Sequence, residues 1–563
     1  MKIGLDFGMT NSTISFYDEE SKQLVNFKLG GPSANDYIPT IISYNENDHS
    51  DFCIGEIAKD NLTKKGFVNS TYENFKLSLG KSFNKVIEGK KKTPSEVTHD
   101  FIGKFLKSFE DDQKKKNSST KIQSIVMTVP DIWLKEESNY ATRENIEKIF
   151  LELGYDKDLF QLHSEPVAAA AFFRHAYKID KGSDYSGHIT VIDYGGGTLD
   201  ITVCKVEGNK KEIDVLVRHG FGRDDQTKGC AGVAFDEAVI EKLIEDNNLK
   251  DSNGNKIKKD DRWFIKMRNS FEKEKKNRCD DLTIQLRKYL KDPRMVKGKE
   301  LFSLEYNGDG DLVSVQCADL VHCFNKVNAT FLNASLKKIQ QYFDVHNIHS
   351  SEQKNFKVLL VGGFSNFYLV EAEVKKFFAP PEIKDNENPY LDYEDERFEQ
   401  PFLPLNRSFA ISRGAALIAQ GMYIPKYYCE WNIGFIFKRL GEGDVWKDDF
   451  LTVIKIGTKI DDLQSPIFLK DYYDVTHPGG KIRFFMDDGR SDGKPRIKSA
   501  IDRTAMELFP NLNKENNKYK LGFSVNKNQI PTIHIEDKDG NPEHMPLNTL
   551  IAEIGIVRST EGE

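Results

Sequence analysis

The chain has 563 residues, and at about 150 residues per domain that length points to roughly three or four compact units and excludes a single small binding module. Hydrophobic residues at 39% and charged residues at 30% fall in the globular range and exclude a disordered or collagen-like chain. Lys plus Arg number 80 against 87 Asp plus Glu, a formal net charge of −7, so no overall basic field invites nucleic acid or an anionic membrane surface.

The first 17 residues alternate apolar and polar positions around a Gly-Met-Thr turn (KIGLDFG, then STISFY), which predicts a β-hairpin. They contain no apolar leader ahead of Asp6, and no later run approaches the roughly 18 uncharged apolar residues of a membrane span, so neither is expected. The lysine clusters 90–92 and 114–116 are expected on solvated loops. A strand is predicted at KIQSIVMTVP and a helix at KEESNYATRENIEKIFLELG. A second helix is entered through Ser164-Glu165-Pro166, where Ser164 can cap and Pro166 tolerates the first turn.

Near residue 193 the opening unit returns. HITVIDYGGGTLDITVCKV reads as strand, glycine turn and strand, and Asp193-Tyr194-Gly195 then Thr198 repeats the order of Asp6-Phe7-Gly8 then Thr10. This self-similarity suggests two lobes of related topology, each opening with a turn of phosphate size. Helix-rich sequence follows from 229 to about 279, then strands and loops to 315, a long helix through LVHCFNKVNATFLNASLKKIQQYF, and a buried parallel strand, KVLLVGGFSN, ending in two glycines. From Tyr423 onward helical periodicity gives way to short alternating runs, which predict an antiparallel sandwich or barrel over 423–563, with the boundary at 421–432. Seven cysteines, an odd number with no Cys-x-x-Cys pair, read as reduced thiols and an expected cytoplasmic protein.

Glycine turns after buried strands let backbone N–H groups approach phosphate with no Cβ in the way. The chain has such turns at Gly8 to Ser12, at Gly195-Gly196-Gly197-Thr198 and at Gly362-Gly363. An acid beside a phosphate is repelled unless a cation stands between them, so Asp6 and Asp193 fit the outer shell of a hydrated magnesium; for either one alone, an ordinary Asp-initiated hairpin turn is the commoner case. Glu272, Lys275, Lys276 and Cys279 fall at i, i+3, i+4 and i+7, one helical face whose charges suit ribose hydroxyls and a base edge, or a solvated surface.

Taken together, Asp6-Phe7-Gly8-Met9-Thr10-Asn11-Ser12, Ser164-Glu165-Pro166-Val167-Ala168-Ala169-Ala170, Asp193-Tyr194-Gly195-Gly196-Gly197-Thr198-Leu199-Asp200 and Val361-Gly362-Gly363-Phe364-Ser365 resemble the DnaK-like seventy-kilodalton heat-shock chaperones of the actin-like ATPase superfamily, in order and spacing over about 420 residues. The resemblance implies an α/β fold: a two-lobed actin-like ATPase domain over 1–422, then a smaller antiparallel β-sandwich-like domain over 423–563 resembling a truncated, lidless peptide-binding domain. It implies ATP/ADP and Mg2+ as ligands. Residue by residue, it implies that Asp6, Gly8, Thr10 and Asn11 form the first phosphate loop and Gly195, Gly196, Gly197 and Thr198 the second. Asp193 then holds magnesium-bound water and helps place the attacking water, with Asp6 and Glu165 in the same outer shell. Lys76, in FKLSLG, matches the lysine that reaches the terminal phosphate; Asp193, Lys76, Thr198 and Asp6 form the catalytic set. Glu272, Lys275 and Lys276 match the adenosine-binding helix, Gly362 and Gly363 the adenosine loop, and Gly232 a weaker glycine motif near the nucleotide.

The chain departs from the family pattern at Met9, usually threonine, at Cys279, usually serine, at Phe364 and Asn366 beside the base, and at Ser408, usually aspartate. The leucine-rich acidic linker is replaced by Tyr423-Ile424-Pro425-Lys426-Tyr427-Tyr428. The implied function is a slowly hydrolysing ATP-dependent chaperone or chaperone-like switch, with unfolded or extended polypeptide and a co-chaperone or exchange factor as partners. A small-metabolite kinase of the same superfamily and a nucleotide-bound scaffold or filament protein are the alternatives.

Overall fold

The computed structural model describes residues 1–31, 35–64, 66–67, 69–79, 92–116, 121–131, 133, 140–221, 230–259, 261–350, 355–380, 395–398, 409–429, 432–440, 446–474, 483–487, 509, 512 and 518–546. By internal contacts the chain separates into two units, one of residues 1–132, 148–213 and 217–424, the other of residues 133–147, 214–216 and 425–563.

The first unit is built on two sheets. One contains β1 (Lys2–Phe7), β2 (Asn11–Asp18), β3 (Gln23–Asn26), β4 (Ser124–Val129) and β5 (Phe160–Ser164) in the order β3-β2-β1-β4-β5, with the short strand Ile38–Pro39 also pairing β2. The other contains β6 (Gly187–Tyr194), β7 (Leu199–Val206), β8 (Glu212–Phe221), β9 (Phe356–Val361) and β10 (Ile424–Lys426) in the order β9-β6-β7-β8-β10. In each sheet an opening strand forms an antiparallel hairpin with the next strand and runs parallel to one from later in the chain, β1 with β4 and β6 with β9. The repeat expected from the two Asp-aromatic-Gly segments is therefore a repeat of topology. β10 is an addition that sequence reasoning missed: part of the atypical 423–428 segment becomes an edge strand.

Buried residues on both faces of β1 mark it as a central strand. Helix α1 (Pro94–Lys115) opens with a capping box between Thr93 and Glu96, and Phe101 on it meets Phe7 of β1 and Phe75, with centroids 5.9 and 5.7 Å apart. Lys114 and Lys115 close the last turn of α1 instead of lying on a loop, where their charge suits the negative end of the helix dipole. Helix α2 (Glu165–Lys181) starts as expected, with Ser164 Oγ accepting from the Val167 amide at 3.4 Å, and ends at Gly182 in the left-handed conformation.

Helix-rich sequence runs beyond the expected 279 and supplies α3 (Gly232–Asp246), α4 (Arg262–Asn277) and α5 (Cys279–Lys291). The long helix predicted after 315 forms as two α-helical stretches, Cys317–Phe324 and Thr330–His346, joined by one π-helical turn at Asn325–Ala329. Helix α6 (Ala410–Ala419) closes the unit by packing on both β1 and α2. Close approach explains its glycine and small residues: a Cβ on Gly4 would lie 2.2 Å from the Ser412 carbonyl oxygen, and one on Gly414 would lie 1.7 Å from that of Ala168.

In the second unit, two antiparallel sheets are built from β11 (Asn432–Leu440), β12 (Trp446–Ile454), β13 (Ile467–Phe468), β14 (Arg483–Asp487), β15 (Lys520–Val525), β16 (Pro531–Glu536) and β17 (Pro542–Pro546), in the orders β12-β11-β14 and β13-β15-β16-β17. Phe435 of β11 stacks on Phe523 of β15 at 4.5 Å, so apolar faces of the two sheets meet as a sandwich predicts. Within this unit the buried Arg143 guanidinium donates to the carbonyls of Asn528 and Gln529 at 3.0 and 2.8 Å. No helix among the described residues is long and apolar enough to cross a membrane.

Candidate nucleotide site

The first turn leaves β1 at Phe7 and enters β2 at Asn11. A Cβ on Gly8 would fall 2.2 Å from the Asn11 carbonyl oxygen, so the turn closes only around glycine. Thr40 Oγ1 donates to the Gly8 carbonyl at 2.8 Å, and Asn11 Nδ2 donates to Thr10 Oγ1 at 3.3 Å. The second turn leaves β6 at Tyr194. It is held from behind: the amides of Gly232 and Val233, at the start of α3, donate to the carbonyls of Gly195 and Gly196 at 3.1 and 2.8 Å, and Gly195 donates to Thr198 at 3.1 Å. That contact accounts for Gly232, where a Cβ would meet Phe364 and the Gly195 carbonyl.

The two turns touch. A Cβ on Gly196 would sit 2.6 Å from Thr10 Cγ2, and one on Gly197 only 1.9 Å from Met9 Sδ. The third turn reaches the same place from β9: Gly362 has φ 83°, which favours glycine, and a Cβ there would lie 2.4 Å from Asp193 Oδ1.

Around these turns carboxylates gather. Asp6 at the end of β1, Asp193 at the end of β6, Glu165 at the start of α2 and Asp200 on β7 are all buried. Lys76 meets Glu165 at 2.8 Å, its side chain 2% exposed, carried there by a short 3-10 turn (Phe75–Ser78) whose Phe75 sits in the aromatic cluster of Phe7 and Phe101. Burial and then the Glu165 charge, opposed by Lys76, push the Asp6 carboxyl up to about 7. Asp193 and Asp200 are raised for the same reasons, burial first and neighbouring carboxylates second.

Sequence reasoning missed Asp131, which follows Val129-Pro130 at the end of β4. It is fully buried, its amide donates to Asp200 Oδ1 at 3.1 Å, Thr202 Oγ1 donates to its side chain, and its charge acts on both Asp193 and Asp200. An acid directly after a buried strand that pairs β1 was the available signal.

A family model described as Hsp70 protein matches residues 2–389. The chain belongs to the Hsp70 family. With that membership comes the actin-like ATPase fold, of which the paired sheets above are the two halves, and an ATP-binding, chaperone-type function in general terms.

Hsp70 membership gives the helix-face residues a setting, and the structure corrects one of them. Helix α4 ends at Asn277, and Arg278 turns the chain before Cys279 begins α5, so Cys279 does not continue the face of Glu272, Lys275 and Lys276. Its thiol instead donates to the Asn366 carbonyl at 3.6 Å. The other three are committed to ion pairs: Glu272 to Lys276 at 2.7 Å and to Lys59 at 3.2 Å, and Lys275 to Asp236. Burial opposes ionisation of Glu272, but the ammonium groups of Lys276 and Lys59 outweigh it and hold the carboxyl down at about 2. Lys275 lies 5.4 to 5.6 Å from the ring centroids of Phe364, Phe235 and Phe271, so Phe364 builds an aromatic wall around a cation. Lys59 and Asp236 were not legible, because nothing local in sequence ties them to α4. Ser408 lies outside the described residues.

The residues present fit a hydrated magnesium. Asp193 Oδ2 and Asp200 Oδ2 are buried with no hydrogen-bond partner among the described residues, which calls for a cation or bound water. Among the described residues no three acids, histidines or cysteines stand close enough to form a metal cage of protein ligands alone.

Proposed function

We propose that this chain is a slowly hydrolysing, ATP-driven chaperone-type switch, with ATP held between the turns at 8–11 and 195–198 and adenosine toward Gly362, Gly363 and α4. The observation that carries the reading is the convergence of those two turns on one buried acidic group that contains the Lys76–Glu165 pair and the unpartnered Asp193 Oδ2. Phosphoryl transfer needs mainly positioning and charge compensation, and this arrangement offers both. Backbone N–H groups of Gly196, Gly197 and Thr198 lie on the turn whose carbonyls are tied behind it, which orients the turn for an anion. Asp6, Glu165 and Asp193 would hold magnesium through water; when bound, magnesium offsets phosphate charge. Lys76 keeps a positive point charge at the acidic end.

Partners in this reading are unfolded or extended polypeptide, taken at a strand edge of the sandwich, and a co-chaperone or exchange factor. A cytoplasmic setting is part of the proposal, supported by seven cysteines that all remain thiols. Single-turnover hydrolysis of ATP by the full chain tests the enzymatic half: Lys76→Ala should slow it by on the order of a hundredfold, and an unchanged rate would remove Lys76 from the mechanism. Capture of unfolded polypeptide by the full chain and by residues 1–422 tests the other half. ATP-sensitive capture that survives the deletion would exclude the sandwich as the binding element.

A further inference from the structure

The contacts along the second turn have a direction. The carbonyls of Gly195 and Gly196 both accept from the start of α3, where Gly232 stands beside Phe364, while a Cβ on Gly196 would meet Thr10 and one on Gly197 would meet Met9. The turn thus runs from the side of Phe364 and the Gly362 loop, where adenosine is placed above, to a far end covered by the Met9 side chain. That side chain is 9% exposed, and Sδ, Cγ and Cε all lie within 2.8 Å of where a Cβ on Gly197 would be. Just ahead of Gly197 the turn is anchored, because the carbonyls of Gly195 and Gly196 are engaged by the amides of Gly232 and Val233. Room at this end comes most readily from the unbranched Met9 side chain.

We infer that Met9 makes the site favour a nucleoside diphosphate over a nucleoside triphosphate. The inference rests on the ATPase reading and adds which ligand that site prefers. A third phosphate extends past Gly196 to the end that Met9 covers, whereas a diphosphate stops short of it. Admitting that phosphate requires the thioether to leave Gly197, forfeiting its packing there. The displaced group then offers the phosphate no N–H or O–H donor in return. Methionine is flexible, so this is a graded preference and not a block.

Calorimetric titration of the full chain with Mg2+ and either ADP or a non-hydrolysable ATP analogue tests the inference. The parent should bind ADP about tenfold tighter or more, a factor equivalent to about 1.4 kcal/mol. Met9→Thr, shorter and hydroxylated, should tighten the analogue while moving ADP less than about threefold, and Met9→Leu, which keeps the bulk, should retain the preference. Equal affinities in the parent, or a Met9→Thr change that shifts both ligands alike as a merely structural role would, overturns it while leaving the ATPase reading in place. Binding of neither nucleotide overturns both.

Discussion

Asp6-Phe7-Gly8 and Asp193-Tyr194-Gly195 end equivalent strands of equivalent sheets, yet the turns that follow are built oppositely. The first is closed by side chains, with Thr40 on the Gly8 carbonyl, Asn11 on Thr10, and Met9 reaching across. The second is bare glycine, held from behind by the first amides of α3. One topology, used twice, has divided the work: the second turn supplies oriented backbone, and the first supplies the groups that decide what lies against it.

The acids at the two strand ends should separate most strongly. Asp193 keeps an unpartnered buried oxygen, whereas Asp6 lies 3.5 Å from Thr128 Oγ1. Asp193→Asn should lower single-turnover hydrolysis by on the order of a hundredfold with nucleotide affinity largely kept, and Asp6→Asn should cost clearly less. Equal losses would show that the two ends act as one group. The glycines come next in size. A Cβ on Gly8 would clash with backbone 2.2 Å away, while the nearest atom to one on Gly195 is 4.0 Å away. Thermal melting should therefore show Gly8→Ala destabilised by about 1–3 kcal/mol and Gly195→Ala within about 0.5 kcal/mol of the parent. A large loss at Gly195 would break the contrast.

A pH slope tests the first strand end by itself. Asp6 ionises near 3.8 when unfolded and at about 7 when folded, so between those values the folded chain holds a proton that the unfolded chain has released. Its contribution to stability is complete below about 4 and is lost as pH rises toward about 7. Melting temperature without magnesium should fall across that window, and Asp6→Asn should flatten the fall; a slope that survives the substitution would assign it to Asp193 and Asp200.

Local patterns carried the hairpin at 2–18, the Ser164 cap and the parallel strand ending in Gly362, because alternation, capping and turn chemistry each act within a few residues. The repeat near 193 was visible for the same reason. What stayed hidden depends on partners far along the chain. Lys59 meets Glu272, and Asp131 meets Asp200, through folds of the backbone that no local spacing encodes. Helical periodicity also overran Arg278, since Cys279 keeps the i+7 spacing from Glu272 while the backbone turns between them. Even Met9 was legible only as a departure; its seat on Gly197 needed the opposing sheet.

Helix α6 carries a consequence for synthesis. β1 is made long before its cover, because the surface that covers Gly4 and pairs Ser15 with Ser412 is made of residues 410–419. At about 5–20 residues per second, roughly 20 to 80 seconds of translation separate the strand from its cover. Throughout that interval the face of the opening hairpin that α6 covers is without its cover, and the release of helix α6 times when that face is sealed.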